Sequence, residues 1–402
     1  MKKNRKYLLL IPIVAVLSFA CNDYIQNVDP LITQAQDELL NNETQLPFLM
    51  TGVKQRFSTV ASQISCLADL LSDQMFYTSD NPQASFPTFE EIDKGQILLD
   101  NNSNRGMWRV LGELRFFADD LIRRTNSISI SNAANKNAAL FTGYFYGGIA
   151  RFYMAVYYGL AQTQPGGVID AGPFIPQSQM LDQAIANFKS AITSSAKDAD
   201  TRIVNSFIAK AYLVKGDFAN AATYAAIGMA KGDADFLALY NDVSNIYYWG
   251  FAGKGRVQIV VDNRMNDYIT ADPKEANRIK LSTLKGTSGK TYYFQTKYPD
   301  KFSNFPVMTW QENNLMLAEL ALRGFGSGNA LALVNEVRAS HSVGPLVIID
   351  LNGVLTERDK ELCFQGDRLI DENRTGKWHL AAGTWQYLPI TSDERNANPN
   401  LK

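Results

Sequence analysis

Cys21 is the residue with the plainest chemistry. Lys2, Lys3, Arg5 and Lys6 precede an apolar run over 7–16, and Leu17-Ser18-Phe19-Ala20 leads into the cysteine. A charged start, an apolar stretch of about ten residues and a small residue before the cut are what export and lipoprotein processing require. The Cys21 thiol is then expected to be acylated and to become the first residue of a lipid-tethered chain. The apolar stretch is too short to span a bilayer by itself. Other reactive groups are sparse. His341 and His379 are the only histidines, which rules out a multi-histidine metal site. Cys66 and Cys363 fall within helical patterns, as small buried hydrophobes do, and a disulfide between them stays open. Glu90 with Glu91, or Glu312 with Glu319, could be drawn as the acid and nucleophile of a glycosidase. With 40 acidic residues in the chain, however, such pairs arise readily on solvated faces. Gly324-Phe325-Gly326-Ser327-Gly328 lacks the Lys-Ser/Thr ending of a phosphate loop and follows no strand, so it reads as a turn between helices. No catalytic residue, cofactor or metal ligand is assigned.

The charge balance narrows the partners. The 402 residues include 39 basic and 40 acidic ones. Four of the basic residues lie in the first 20, so the processed chain carries about five net negative charges. No basic stripe is left to neutralise phosphates, which makes nucleic acid an improbable partner. Nothing after the signal is apolar enough to cross a membrane. The remaining length suits two average domains or one extended helical array.

Helical spacing dominates the rest of the chain. Residues 21–45, rich in Asn, Asp and Gln, read as a lipidated tether. Pro47 marks a helix start. Val53, Phe57, Val60, Ile64, Leu67 and Leu71 then recur in steps of four and three, which aligns them on one side of a long helix. Trp108, Leu111, Leu114, Ala118 and Leu121 repeat the pattern. The segment 138–158 is crowded with aromatic and small residues and is expected to be buried on more than one side.

A second-order periodicity is more informative. Ala209, Tyr212, Ala221, Ala225 and Gly228 recur with identical separations as Ala318, Ala321, Ala330, Val334 and Val337. Small residues at such positions let two antiparallel helices approach closely, and Gly216 and the 324–328 stretch supply the turns. The spacing resembles tetratricopeptide repeats. Ala184, Phe188 and Ala191 copy the second helix of the unit, with 138–158 as the matching first helix and an insertion over 159–179 between them. Residues 241–305 break the array. Val257, Ile259 and Val261 alternate like a short strand, after Asn245-Ile246-Tyr247-Tyr248-Trp249. Tyr268, Tyr292, Tyr293, Phe294 and Tyr298 come next, and so many aromatics outside regular helix suggest a contact surface.

Four stretches together resemble the SusD/RagB family of surface lipoproteins. They are Cys21-Asn22-Asp23-Tyr24; Ala150-Arg151-Phe152-Tyr153 leading to Tyr158-Gly159; Pro306-Val307-Met308 through Leu317-Ala318-Glu319 into Val334-Asn335-Glu336-Val337-Arg338; and, most specific, 357–368 (Glu357-Arg358-Asp359-Lys360-Glu361-Leu362-Cys363-Phe364-Gln365-Gly366-Asp367-Arg368). Asp371, Arg374-Thr375-Gly376-Lys377, Leu388-Pro389-Ile390 and Asn398-Pro399-Asn400-Leu401 continue the last. Arg358 and Glu361, Arg368 and Asp371, and Asp371 and Arg374 are each three apart, the spacing of neighbours on a helix, so this motif is expected to be structural. Gly366 is expected to admit another backbone at close range.

The expected fold is mainly α, with tetratricopeptide-like repeats forming an α-α superhelix and an irregular, loop-rich excursion containing short strands. Its organisation would be a signal (1–20), a tether (21–45), an N-terminal helical region with hairpins (46–240), the excursion as candidate ligand-binding region (241–305), and a C-terminal hairpin with the closing motif (306–402). The resemblance implies an outer-membrane, surface-exposed lipoprotein that captures an oligosaccharide or other nutrient for import through a SusC-like TonB-dependent transporter, without catalysis. Peptide cargo is open. A glycan is gripped by aromatic faces with polar groups nearby, and the candidates are Trp249, Tyr247, Tyr248 and Tyr292 from the excursion, and Asp73, Phe76, Tyr77 and Asn81 after the first long helix. The competing functions are a lipid-anchored repeat scaffold for another protein and, less favoured, a surface glycoside hydrolase.

Overall fold

A computed structural model describes residues 37–160, 175–241 and 244–399. Cys21 and most of the 159–179 insertion lie outside the described residues. The first long helix, α1 (Leu46–Leu71), starts with Pro47 in its first turn, where the missing N–H costs nothing. All six residues of its expected apolar stripe are buried. Strand β1 (Met75–Phe76) and the short helix α2 (Thr88–Asp93) come next. Helices α3 (Asn102–Ser127) and α4 (Ala133–Tyr158) are capped by Asn101 and Asn132, whose side chains accept from the amides two and three residues on. These bonds satisfy donors that a helix N-terminus leaves unpaired. The aromatic face of α4 builds the centre of the core, where Phe145 meets Phe188, Phe207 and Phe236 at ring separations of 5.0–6.1 Å.

Helices α5 (Gln177–Ser194), α6 (Asp198–Lys215) and α7 (Phe218–Ala226) extend the array. The 138–158 segment lies in α4 and packs on α5, as the repeat spacing requires: a Cβ at Gly148 would lie 2.6 Å from the Phe188 ring. Gly216, at φ 75°, ends α6, and Asp217 caps α7 through the Asn220 amide. The chain thereby reverses in two residues.

The excursion after β2 (Phe236–Ala238) is more ordered than its composition suggests. Asn245 caps a single helical turn, α8 (Ile246–Trp249), by accepting from the Tyr247 amide. Val257, Ile259 and Val261 are all buried, yet they do not form one strand. The chain makes β3 (Ala252–Gly253), β4 (Arg256–Val257) and β5 (Val260–Val261), because the amides of Gln258 and Ile259 both turn to the Phe251 carbonyl. Helix α9 (Asn263–Ala271) leads to β6 (Leu281–Lys285) and β7 (Thr291–Gln295). The order β1-β5-β7-β6 gives an antiparallel sheet, with Met75 opposite Val261 and Val261 opposite Tyr293. This sheet stitches the loop after α1 to the excursion. Strand β8 (Phe305–Met308) pairs with β2.

Helices α10 (Trp310–Leu322) and α11 (Ala330–Ser340) form the second copy of the repeat, with 324–328 as the turn between them. Ala209, Ala221 and Ala225 of the first copy share a small core with Met316 and Leu320 of the second. At Gly228 a Cβ would fall 2.5 Å from Ser206 Oγ and 2.7 Å from Asn313 Oδ1, which accounts for the small residue there.

The closing motif forms α12 (Leu351–Glu361) and α13 (Asp367–Thr375), and α14 (Ser392–Ala397) ends the described chain. Of the three expected i,i+3 pairs, Asp371–Arg374 forms at 2.7 Å. The other two are replaced by contacts between elements. Arg358 reaches Asp371 at 2.8 Å, Glu361 meets His341 and Arg278, and Arg368 grips Asp73 at 2.6 Å. The reason is the break over 362–366, where Phe364 and Gly366 take left-handed φ of 63° and 83°. The reversal folds α13 back on α12. A Cβ on Gly366 would lie 2.8 Å from the Ser65 Cα of α1, so the expected close approach is to the first long helix. Cys66 and Cys363 are free and buried, and burial pushes the Cys363 thiol up to about 12.

Candidate functional site

The loop after α1 and the 245–258 segment are bound into one surface by side chains that satisfy backbone groups. Asn81 Nδ2 donates to the Val257 carbonyl (2.8 Å), and the Val257 amide donates to Gln83 Oε1 (2.9 Å). Gln258 Nε2 donates to the Gly250 carbonyl (2.8 Å), while its Oε1 accepts from Ser85 Oγ (3.2 Å). The β3-β4 hairpin turns at Lys254-Gly255 and lies directly on α8. A Cβ at Gly253 would sit 1.9 Å from the Tyr247 carbonyl oxygen, and one at Gly255 would sit 3.2 Å from the Trp249 Cα. Only glycine fits either place.

The eight aromatic and polar candidates divide by burial. Tyr247 is entirely buried, stacks on Phe305, packs at a tilt against Tyr298, and donates to Asp69 Oδ2 at 2.5 Å. It anchors α8 and is not a surface platform. Burial holds the Asp69 carboxyl well above the usual carboxylate range, opposed by the Tyr247 hydroxyl and the Gly366 amide. Tyr292, 5% exposed, belongs to a small core with Val257 and Val260, against which Phe76 packs. Asn81 is buried in its hydrogen bond. Asp73 is taken up by Arg368 and Arg264; burial alone would raise its carboxyl, but these guanidiniums hold it well below the usual range. Tyr77 and Tyr248 are half-buried, and Trp249 is 57% exposed at the end of α8.

Thus Trp249 faces outward and Tyr248 lies half-buried beside it, while Tyr247 and Asn81 hold the surface that carries them. Arg256, Lys254 and Ser85, which the sequence did not single out, lie on the same surface. Arg256 Nη2 donates to Ser85 Oγ at 2.6 Å and lies over the Phe86 ring at 5.8 Å. The Gly253-Lys254-Gly255 run was the available signal, since glycine-flanked dipeptides mark hairpin tips. The neighbouring Asp80 accepts from both hydroxyl and amide of Ser288 and from the Thr287 hydroxyl, which hold it well below the usual range.

Beneath this surface Asp93 ends α2, close to the Tyr77 amide. Burial raises its carboxyl to about 6, against the Tyr77 amide and His379. A raised folded-state value means that its stabilising contribution is full below about pH 4 and is lost as pH rises through about 6. Asp93→Asn is therefore expected to raise stability at pH 8 by about 1–3 kcal/mol and to give no gain near pH 4. Urea unfolding at the two pH values measures both.

The carboxylate pairs that could suggest hydrolysis are engaged elsewhere. Glu90 pairs with Lys94, and Glu91 accepts from Asn101. Glu312 is buried against Lys210 at 2.8 Å, and Glu319 accepts from both Arg374 and Arg323. Among the described residues no cluster of His, Cys, Asp and Glu is arranged to hold a metal, and no helix is long and apolar enough to cross a membrane.

No protein-family model matches the chain, and no curated protein matches it by sequence. Solved structures do. A SusD superfamily protein from Bacteroides vulgatus superposes with a TM-score of 0.72 at 17% identity, covering 90% of this chain and 98% of that one. Surface glycan-binding protein A from Bacteroides thetaiotaomicron, in complex with laminarihexaose, gives 0.68 at 13% identity, covering 90% and 99%. NanU of B. fragilis gives 0.69 at 14%, covering 93% and 99%. Over nine-tenths of this chain the fold is therefore the one seen in that SusD superfamily structure.

Proposed function

We propose that the protein is a cell-surface glycan-binding lipoprotein that captures oligosaccharides for import through a SusC-like TonB-dependent transporter. The observation that carries this reading is Trp249, exposed at the end of a helical turn that a buried tyrosine and two glycine contacts hold in place. An indole so placed offers a flat apolar face to a sugar ring, on a turn whose backbone is set without the ligand, which lowers the ordering cost of binding. The likeness to structures that include a glycan complex supports the same reading. Binding is the whole mechanism: of the carboxylates that could act as acid and base, Glu90, Glu312 and Glu319 are held in ion pairs and Glu91 accepts from Asn101, and no catalytic residue is assigned. Acylation at Cys21 would hold the protein at the outer membrane.

Calorimetry of the soluble protein against a panel of neutral and acidic oligosaccharides tests capture, and co-purification from solubilised membranes tests the partner. Saturable binding of at least one glycan and recovery of a barrel transporter are expected. Absence of both would favour a scaffold that docks another protein.

A further inference from the structure

We propose that the Trp249 surface is specific for acidic glycans, with the carboxylate or sulfate of the sugar received by Arg256 and Lys254. This rests on the glycan-capture reading above and narrows it to a ligand class.

Lys254 and Arg256 flank Gly255, and the close approach of Gly255 to the backbone of Tyr248 and Trp249 brings both residues beside the turn that carries the exposed indole. Both side chains are exposed. Among the described residues neither has a carboxylate partner. That separates Arg256 from the arginines of the closing motif and its surroundings. Arg264, Arg278, Arg338, Arg368 and Arg374 each engage at least two carboxylates. Arg256 instead spends one of its five N–H donors on the Ser85 hydroxyl, and its guanidinium carbon lies over the Phe86 ring.

The guanidinium is also pre-set. Ser85 donates to Gln258, and Gln258 donates to the Gly250 carbonyl next to Trp249, so one chain of hydrogen bonds ties the orientation of Arg256 to the base of the indole. The acid on the adjoining loop, Asp80, is occupied by Thr287 and Ser288 and does not compete for the cation. A neutral sugar would leave a fixed guanidinium facing its hydroxyls. An anion meets it with charge-assisted hydrogen bonds, about twice as strong as neutral ones, in a fork geometry that suits carboxylate and sulfate.

The test uses pairs of oligosaccharides that differ only in the acid: oligogalacturonate and its methyl ester, sialyllactose and lactose, and a carrageenan oligosaccharide before and after desulfation. Calorimetry at low and high salt is run on the protein and on Arg256→Gln and Lys254→Gln. In at least one pair the acidic member is expected to bind about tenfold tighter, with the advantage shrinking in high salt and its ratio falling toward one in both variants. The carboxylate and sulfate pairs separate the two sources of charge. Neutral members that bind as tightly as their acidic partners, or an acid preference that survives Arg256→Gln, would overturn the specificity and leave glycan capture standing. No binding of any glycan, acidic or neutral, overturns both readings.

Discussion

Arg358→Met is expected to destabilise the protein by about 3–5 kcal/mol, the cost of leaving a buried charge without its partner. Arg358 is wholly buried and binds Asp371 through Nε and Nη2 at 2.8 and 3.2 Å. Asp371 would keep Arg374 (2.7 Å), but Arg374 is shared with Glu319, so an uncompensated carboxylate would remain in the core. Methionine preserves the length of the stem and isolates the loss of charge from the loss of volume. If the pair is the cause, adding Asp371→Asn to Arg358→Met should cost less than Asp371→Asn costs alone, a coupling that a double-mutant cycle reads directly. The dependence on pH provides a second check. Burial would raise the Asp371 carboxyl, but Arg358 and Arg374 together hold it well below the usual range. A depressed folded-state value contributes stability above about pH 4 that is lost as pH falls further, so the penalty measured at pH 7 should shrink in acid. Denaturant unfolding that shows a loss under about 1 kcal/mol at pH 7 would show the pair to be dispensable.

The second large effect is functional. Trp249→Ala should weaken glycan binding by about 2 kcal/mol, roughly thirtyfold, as removal of a central aromatic anchor does. Stability should move by no more than about 0.5 kcal/mol, because an exposed side chain has few core contacts to lose. The separation of the two readouts is what matters. Tyr247, on the same helical turn, is buried against Asp69, Tyr298 and Phe305, so its loss would reduce binding by unfolding the turn. Trp249→Ala with unchanged affinity across the panel would remove Trp249 from the site.

The two effects come from the same construction. The ion pairs of α12 and α13 tie the end of the chain to α10 through Arg374–Glu319 and to the loop after α1 through Arg368–Asp73. That loop runs on into Asn81, Gln83 and Ser85, which hold the hairpin beside Trp249. The closing motif therefore sits at one end of a continuous set of contacts that reaches the candidate surface.

The helices of the array were legible in the sequence because each has its own local cause. Periodic apolar stripes, Pro47 at a helix start and Gly216 at a helix end act within a few residues, and all appear where the sequence placed them. The two-copy repeat was legible for a similar reason, since a small residue facing a neighbouring helix leaves its mark wherever the pairing recurs. The ion pairs were only half legible: spacing gave Asp371–Arg374, but the reversal over 362–366 brought Arg358 to Asp371 across thirteen residues. Which aromatics face solvent could not be read at all. Tyr247, Tyr248 and Trp249 are adjacent, chemically alike and separated only by about 100° of rotation on one helical turn, and their fates were decided by Asp69, Tyr298 and Gly255, residues distant in sequence or without side-chain chemistry of their own. Local periodicity fixes an element; exposure is a property of everything else that packs against it, and only the tertiary structure supplies that.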